Sequence, residues 1–360
     1  MEKKMMKAAV LRNWNDMRIE DVPIPEISSN EVLCRVKACG ICGTDKLIMA
    51  GIYADKGWPR QLPYIQGHEW AGEIVAVGEH VDPEDFKIGD RVVGESHVYC
   101  GKCPRCLEGR YHLCIKADAP DAFAKGYYLY GHDAQGTFAE YAKREVQLLY
   151  KIPDGVSWDE AAIGNQAAVA LHIVERAQMP SAAKVAIIGP GHLGLLSLQF
   201  AKALGAAKTI LVGRNEKRLE LGRKLGADEI VDTRKADAIP KIKELTDGLG
   251  VDVVLECAGT PEAVEMALGA ARKGGRVVLA GMTGGEKAAI DPDLIVLKEL
   301  DIVGSHARVN TQTQALEMIA KGQIDAQSVA THKFPLEKFN EAMETFKDKD
   351  SGALRVIIHP

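Results

Sequence analysis

Eight cysteines lie in the 360-residue chain, and four of them, Cys100, Cys103, Cys106 and Cys114, form the pattern C-x2-C-x2-C-x7-C. Zinc takes soft thiolate ligands four at a time in a tetrahedron, and x2 spacings let a turning backbone aim successive sulfurs inward. Unrelated thiols or surface disulfides are the alternative reading. Clustered cysteines in a large chain with no secretory pattern speak for metal first. An iron–sulfur cluster also uses thiolates, but its usual spacings differ and the proline after its last cysteine is absent. With all four positions filled by protein, such a zinc leaves no room for substrate. It would be structural, in a loop over 94–116.

A second set is Cys42, in Gly40-Ile41-Cys42-Gly43-Thr44-Asp45, together with His68 and Glu69 in Gly67-His68-Glu69. One Cys, one His and one carboxylate can hold zinc in an open site, with a position left for water or an alcohol. These pieces lie far apart in sequence, so spacing alone does not bring them together. His80, His112, His332 and His359 read as ordinary core or surface histidines.

A third set is Gly189-Pro190-Gly191-His192-Leu193-Gly194. It follows an apolar strand, Val185–Ile188, and opens a helix, which is the context a dinucleotide fingerprint requires. Gly189 allows the tight turn, Gly191 admits the pyrophosphate to the backbone, and Gly194 lets helix pack on sheet. Free N–H groups at the helix start then face the phosphates. A plain Gly-rich turn is the alternative. In NAD binders an acid about 20 residues further on accepts the ribose 2′-OH. Here Gly213 stands at that place, followed by Arg214, Asn215, Glu216, Lys217 and Arg218. Missing acid and added cations favour NADP(H) over NAD(H), with Arg214 as the 2′-phosphate partner and Arg218 as support.

The elements around these residues change character along the chain. Lys7–Leu11, Glu31–Cys39, Glu73–Val77 and Asp90–Val93 are short β-like runs bounded by turn residues, which predicts a β-rich first part. Ser157 with Glu160 forms a capping box that opens a helix. Then strands (Val185–Ile188, Thr209–Val212, Val251–Leu255, Arg276–Ala280, Asp301–Val303) alternate with helical stretches such as His192–Leu204 and Glu216–Leu225. That rhythm predicts a parallel sheet with right-handed crossovers. Two amphipathic helices, near Thr313–Lys321 and Leu336–Lys347, and a strand, Leu354–His359, follow.

Length gives a prior of about two domains. Lys plus Arg number 45 against 50 Asp plus Glu, a net charge of −5, which argues against a nucleic-acid partner. Hydrophobic residues at 46% and charged residues at 26% are ordinary globular values and exclude disorder as the main state. No apolar run reaches the ~18 residues of a membrane span. Met1–Val10 soon turns polar, so no signal-peptide core forms. The expectation is a cytoplasmic protein without a membrane partner.

Taken in order, several segments resemble the zinc-dependent medium-chain alcohol dehydrogenases, especially their polyol and L-threonine 3-dehydrogenase branch. They are MKAAV at Met6–Val10, GICGTD at Gly40–Asp45, GHEWAGEIVAVG at Gly67–Gly78, GDRV at Gly89–Val92, GESHVYCGKC at Gly94–Cys103 and FAEY at Phe138–Tyr141. The resemblance covers nearly the whole chain and implies an α/β protein. A GroES-like β-rich catalytic domain would span 1–157, a Rossmann doubly wound parallel-sheet domain 158–308, and a return to the catalytic domain 309–360. It implies two zinc ions per chain, one structural on the four cysteines and one catalytic on Cys42, His68 and Glu69. Thr44 would sit beside the reacting alcohol and pass its proton onward. Leu193, Gly213, Arg214, Arg218, Gly281 and Ser305 would join the fingerprint in holding the cofactor. Two departures stand out. Asn165 replaces a Cys, Asp or Glu frequent in relatives, and Leu47 replaces a proton-relay His.

The expected function is hydride transfer between a secondary alcohol (a polyol, sugar or related hydroxy compound) or its ketone and NADP(H) or NAD(H). L-Threonine 3-dehydrogenase is the second reading, and a cofactor-binding protein with lost catalysis the reading from another class. A zinc-free double-bond reductase is disfavoured because Cys42, His68 and Glu69 are all kept. A homo-oligomer, dimer or tetramer, is expected.

Overall fold

Alternation of apolar and polar residues sets Met5–Asn13 (β1) against Asp16–Pro23 (β2) as an antiparallel hairpin, with Tyr64–Ile65 (β4) on the other edge of β1. The charged strand β2 has no apolar run to announce it, and only its pairing with β1 makes it a strand. Glu31–Gly40 (β3) is buried along most of its length because it has neighbours on every side. Glu69–Val77 (β5) and Tyr141–Glu145 (β7) pair with it antiparallel, and β5 leads on through Arg91–Gly94 (β6) to Leu149–Lys151 (β8). Two short helices, Gly43–Met49 (α1) and Pro104–Leu107 (α2), interrupt this part of the chain.

The computed structural model describes residues 4–117, 119 and 122–360. They divide into two units. Unit 1 holds Met1–Asn165, Gln312–Ala320 and Ala326–Pro360, and unit 2 holds Gln166–Thr311 and Lys321–Asp325. The division falls within the helix Trp158–Ala177 (α3) rather than before it. The expected capping box does open α3, for Glu160 Oε2 accepts the Ser157 N–H at 2.9 Å.

Unit 2 is a sheet of six parallel strands: Lys184–Ile188 (β9), Lys208–Gly213 (β10), Glu229–Asp232 (β11), Val251–Glu256 (β12), Ala271–Leu279 (β13) and Asp301–Gly304 (β14). Their order is β11-β10-β9-β12-β13-β14, so the chain reverses its direction of growth beside β9. Helices His192–Ala203 (α4), Glu216–Lys224 (α5), Ala238–Glu244 (α6), Pro261–Ala270 (α7) and Pro292–Lys298 (α8) connect the strands. This is the doubly wound arrangement, whose ligands bind outside the carboxyl ends of the strands at the switch point. The central strands β9, β10 and β12 are mostly apolar and buried because helices cover both faces. Ile188, Ile210, Val212, Val254 and Val277 belong to the core.

The chain then returns to unit 1 through Gln312–Ala320 (α9), Ala330–Pro335 (β15), Phe339–Lys347 (α10) and Arg355–His359 (β16). Strand β16 adds to the free edge of β3, with Ile357 opposite Gly40 and Ile358 opposite Cys39. The main sheet of unit 1 thus reads β15-β16-β3-β5-β6-β8, with β7 also on β3. Trp70, Phe138, Phe339 and Ile358 lie in its core.

Candidate active site and metal centres

Cys42 sits between the end of β3 and the start of α1. Asp45, three residues on, turns back so that its Oδ2 accepts the Cys42 N–H at 2.8 Å. That local bond fixes the loop and presents the thiol. His68 and Glu69 lie at the start of β5, and the β3–β5 register sets Gly40 opposite Glu69. The pairing therefore brings the three residues together. One ligand atom from each of Cys42, His68 and Glu69 lies within 4.8 Å of the others. Thr44 is adjacent, its Oγ1 3.8 Å from Cys42 Sγ.

Burial opposes ionisation of Cys42, but the hydrogen bond and charge of His68 outweigh it and bring the thiol down to about 7. Burial likewise disfavours the His68 cation, yet Asp45 and Cys42 raise it to about 10. A divalent cation fits this donor set. His68 Nε2 lies on the Glu69 side, 3.8 Å from Oε1, while Nδ1 faces Asp45 Oδ1 at 3.6 Å. Neither Nδ1 nor that Oδ1 has a hydrogen-bond partner among the described residues, although both are buried. A metal on Nε2 would fix the proton on Nδ1, toward Asp45, which is the usual outer-shell arrangement of a metal-ligating histidine.

Three further residues shape this site without a sequence signal that named them. Asp45 lay inside a quoted motif, and its role follows from its capping position. Arg355 on β16 is fully buried and ion-paired with Glu69 Oε2. His132 packs its ring against His68, with centroids 4.4 Å apart. Burial, then the charge of His68, holds the His132 imidazole well below its ordinary value, so it stays neutral. Asn165 is buried, and its Nδ2 donates to the His68 carbonyl at 3.4 Å. The amide braces the backbone of this candidate ligand.

The four cysteines form a separate cluster. Their sulfurs lie 3.5 Å (Cys103–Cys106), 3.9 Å (Cys100–Cys106) and 3.9 Å (Cys103–Cys114) apart. A tetrahedron with Zn–S bonds of about 2.3 Å has edges of about 3.8 Å, so the cage already has the size of its ion. Burial opposes the Cys103 thiolate, but backbone N–H groups and neighbouring thiols bring it down to about 6. Burial and the same neighbours push Cys106 up to about 12.

In unit 2 the fingerprint runs from the end of β9 into α4, with Gly191 as N-cap and Gly189 turning at φ +103°. A Cβ on Gly194 would strike the Gly189 carbonyl, whereas one on Gly191 would meet nothing within 4 Å. The space above Gly191 is thus open for phosphate. Half-buried His192 is pushed down to about 4 by burial and then by Arg218. Gly213 ends β10, but not simply because an acid is missing. A Cβ there would collide with the Pro190 ring. Arg214 is exposed and Arg218 half-buried, while Asn215 Oδ1 caps α5 by accepting the Arg218 N–H at 3.1 Å. An acid does stand nearby: Asp232 faces Gly213 across the β10–β11 ladder, held by Arg234 at 2.6 and 3.0 Å. Gly281 and Ser305 follow β13 and β14, so both sit at the carboxyl ends of adjacent strands.

Comparison with known proteins agrees with both halves. Residues 28–154 match the alcohol dehydrogenase GroES-like domain, and residues 193–321 the zinc-binding dehydrogenase family. The chain is 37% identical to sorbitol dehydrogenase of Bacillus subtilis over 359 residues, covering 99% of this chain and 97% of that one. It is 36% identical to L-threonine 3-dehydrogenase of Bacillus licheniformis, covering 94% of each. A zinc-binding dehydrogenase of Sinorhizobium meliloti, solved bound to NADP, superimposes with a TM-score of 0.89 at 31% identity, covering 99% of this chain and 100% of that one. With a GroES-like sheet carrying an open Cys–His–Glu set and a Rossmann sheet carrying the glycine turn, this chain belongs to the zinc-dependent medium-chain alcohol dehydrogenases.

Proposed function

We propose that the protein oxidises a secondary alcohol of the polyol or sugar class, reversibly, with NADP(H) in preference to NAD(H). The observation that carries this reading is the convergence of Cys42, His68 and Glu69 within 4.8 Å. These three would hold the catalytic zinc, and Cys100, Cys103, Cys106 and Cys114 a structural one. Zinc, when bound, acidifies a ligated alcohol, and the nicotinamide takes its hydride. Asp45 orients His68 through Nδ1, and Asn165 steadies its carbonyl. Thr44 takes the alcohol's proton at Oγ1. Leu47 offers no titratable group, so Thr44 would hand a proton onward from Oγ1 toward water as it accepts the alcohol's. Gly189, Gly191, His192, Leu193 and Gly194 would receive the pyrophosphate, Gly213, Arg214 and Arg218 the adenosine ribose and its 2′-phosphate, and Gly281 and Ser305 the nicotinamide end. The NADP bound to the S. meliloti protein supports the cofactor, and the sorbitol dehydrogenase relative supports the substrate class.

A second reading, L-threonine 3-dehydrogenase, is favoured by the B. licheniformis relative. Turnover of the zinc-loaded protein on polyols, L-threonine and simple secondary alcohols, with each cofactor, separates the two. Bound zinc and cofactor with no turnover on any of them would mark a binding protein instead.

Among the described residues no helix is long and apolar enough to cross a membrane. A reduced tetra-Cys zinc site fits the cytoplasm. A homo-oligomer, dimer or tetramer, is supported by Met282, Val296 and Leu297, which are 78%, 70% and 75% exposed near the edge strand β14. Sedimentation of the wild type against Leu297→Glu would test it.

A further inference from the structure

Glu256 ends the interior strand β12 and is fully buried, 0% exposed. A carboxyl group is costly in such a place unless it is bonded. The register sets it between Ile188 on β9 and Leu279 on β13. Ile188 leads directly into the glycine turn at Gly189, and Leu279 into Ala280 and Gly281. Glu256 therefore stands between the two loops that would hold opposite ends of the dinucleotide.

Its side chain folds the loop that follows. Glu256 Oε1 accepts the N–H groups of Ala258 and Gly259, both at 2.7 Å. The Glu256 carbonyl accepts those of Ala280 at 2.9 Å and Gly281 at 3.0 Å. So turned, the loop 257–259 presses on both neighbours. A Cβ on Gly189 would lie 2.8 Å from the Ala258 nitrogen, and one on Gly281 would lie 2.2 Å from the Gly259 nitrogen and 2.8 Å from Glu256 Oε2. Glycine at 189 and 281 is what lets this loop wedge between the two. Burial, working against the Gly259 and Ala258 N–H groups, raises the Glu256 carboxyl above its ordinary value. Glutamine, neutral and of the same shape, is therefore its nearest stand-in.

We propose that Glu256 is a positioning residue for the cofactor: by drawing Ala258 and Gly259 onto one oxygen, it sets the spacing between the pyrophosphate turn at Gly189 and the nicotinamide end at Gly281. This rests on the reading of those glycines as two ends of the cofactor site and deepens it. Glu256 touches no reacting atom. It acts on ligands that engage both loops at once, because the second end of a linked ligand adds affinity only where geometry lets both ends bind together.

The test compares NADPH and NADH with 2′-phospho-ADP-ribose and ADP-ribose, the same molecules without nicotinamide. Isothermal titration calorimetry gives dissociation constants for wild type, Glu256→Leu, Glu256→Gln and Gly281→Ala. In Glu256→Leu the constant of the preferred intact cofactor should rise about tenfold, the worth of one good hydrogen bond, while that of its fragment moves less than about twofold. Glu256→Gln, which keeps Oε1, should recover most of the loss. Gly281→Ala drives the loops apart from the other side and should repeat the pattern with Glu256 intact. Equal losses for cofactor and fragment would mark a merely structural role and overturn the proposal, as would an intact-cofactor constant unmoved in Glu256→Leu. Failure of the cofactor reading looks different: the wild type itself would bind none of the four ligands.

Discussion

Glu69 and Arg355 form an ion pair with both side chains essentially out of solvent, 0% and 1% exposed. One is a candidate metal ligand and the other belongs to the strand β16 that returns to complete the sheet. Removing one partner of a buried pair leaves the other's charge uncompensated and typically costs about 3–5 kcal/mol. Arg355→Met should therefore lower the thermal midpoint of unit 1 by several degrees, and Glu69→Gln in the same chain should recover part of the loss. A midpoint within a degree of wild type in the single variant would refute the role.

Metal removal should proceed in two steps. Freshly purified protein should approach two zinc ions per chain. Mild chelation should empty the Cys42, His68 and Glu69 set first, because it has one thiolate against four. Activity should vanish with that first ion, and Cys42→Ala should reproduce the effect while still binding NADPH. Metal analysis beside activity follows the order. Loss of the four-cysteine metal with activity intact would reverse the assignment.

Cofactor preference should follow Arg214. A charge-assisted bond to the 2′-phosphate is worth roughly 1.5–3 kcal/mol, about one to two decades in affinity. Arg214→Ala should therefore cut kcat/KM for NADP by about 10- to 100-fold and leave NAD little changed. Placing an acid at Gly213 needs a second change, because its Cβ would strike Pro190. Pro190→Ala with Gly213→Asp and Arg214→Ala should reverse the preference. A wild type that favours NAD tenfold would sink the idea.

His192 should make stability depend on pH. Its folded value, about 4, lies below the ordinary ~6.5, so between those values the unfolded chain binds the extra proton. Stability then falls as pH drops from about 6.5 to 4 and levels off below that. Thermal midpoints from pH 7 to 4.5 should decline less in His192→Gln. Parallel curves for the two proteins would show that His192 does not carry the effect.

The parts of this molecule that read plainly from sequence are those whose physics is local. The four cysteines share one loop, and the fingerprint needs only a strand before it and a helix after it. The pairing of Cys42 with His68 and Glu69 came from resemblance, since β3 and β5 bring them together by register that no short window contains. Arg355 and His132 were missed for the same reason. Each acts across the fold, and a lone arginine in a strand or a lone histidine in a loop has no periodicity to betray it. At Gly213 the absence of an acid was visible, but the Pro190 ring that forbids any side chain there was not.

The addition of β16 to β3 has a consequence for biosynthesis. A ribosome finishes β3, β5 and the three candidate ligands Cys42, His68 and Glu69 long before it makes Arg355, whereas unit 2 is almost continuous in sequence and can fold as it emerges. Until β16 arrives, Glu69 lacks its buried counter-charge and the edge of β3 at Cys39 and Gly40 lacks its partner. Unit 1 is thus the last to mature, and a nascent chain stalled within unit 2 exposes an unpaired strand edge to chaperones and proteases.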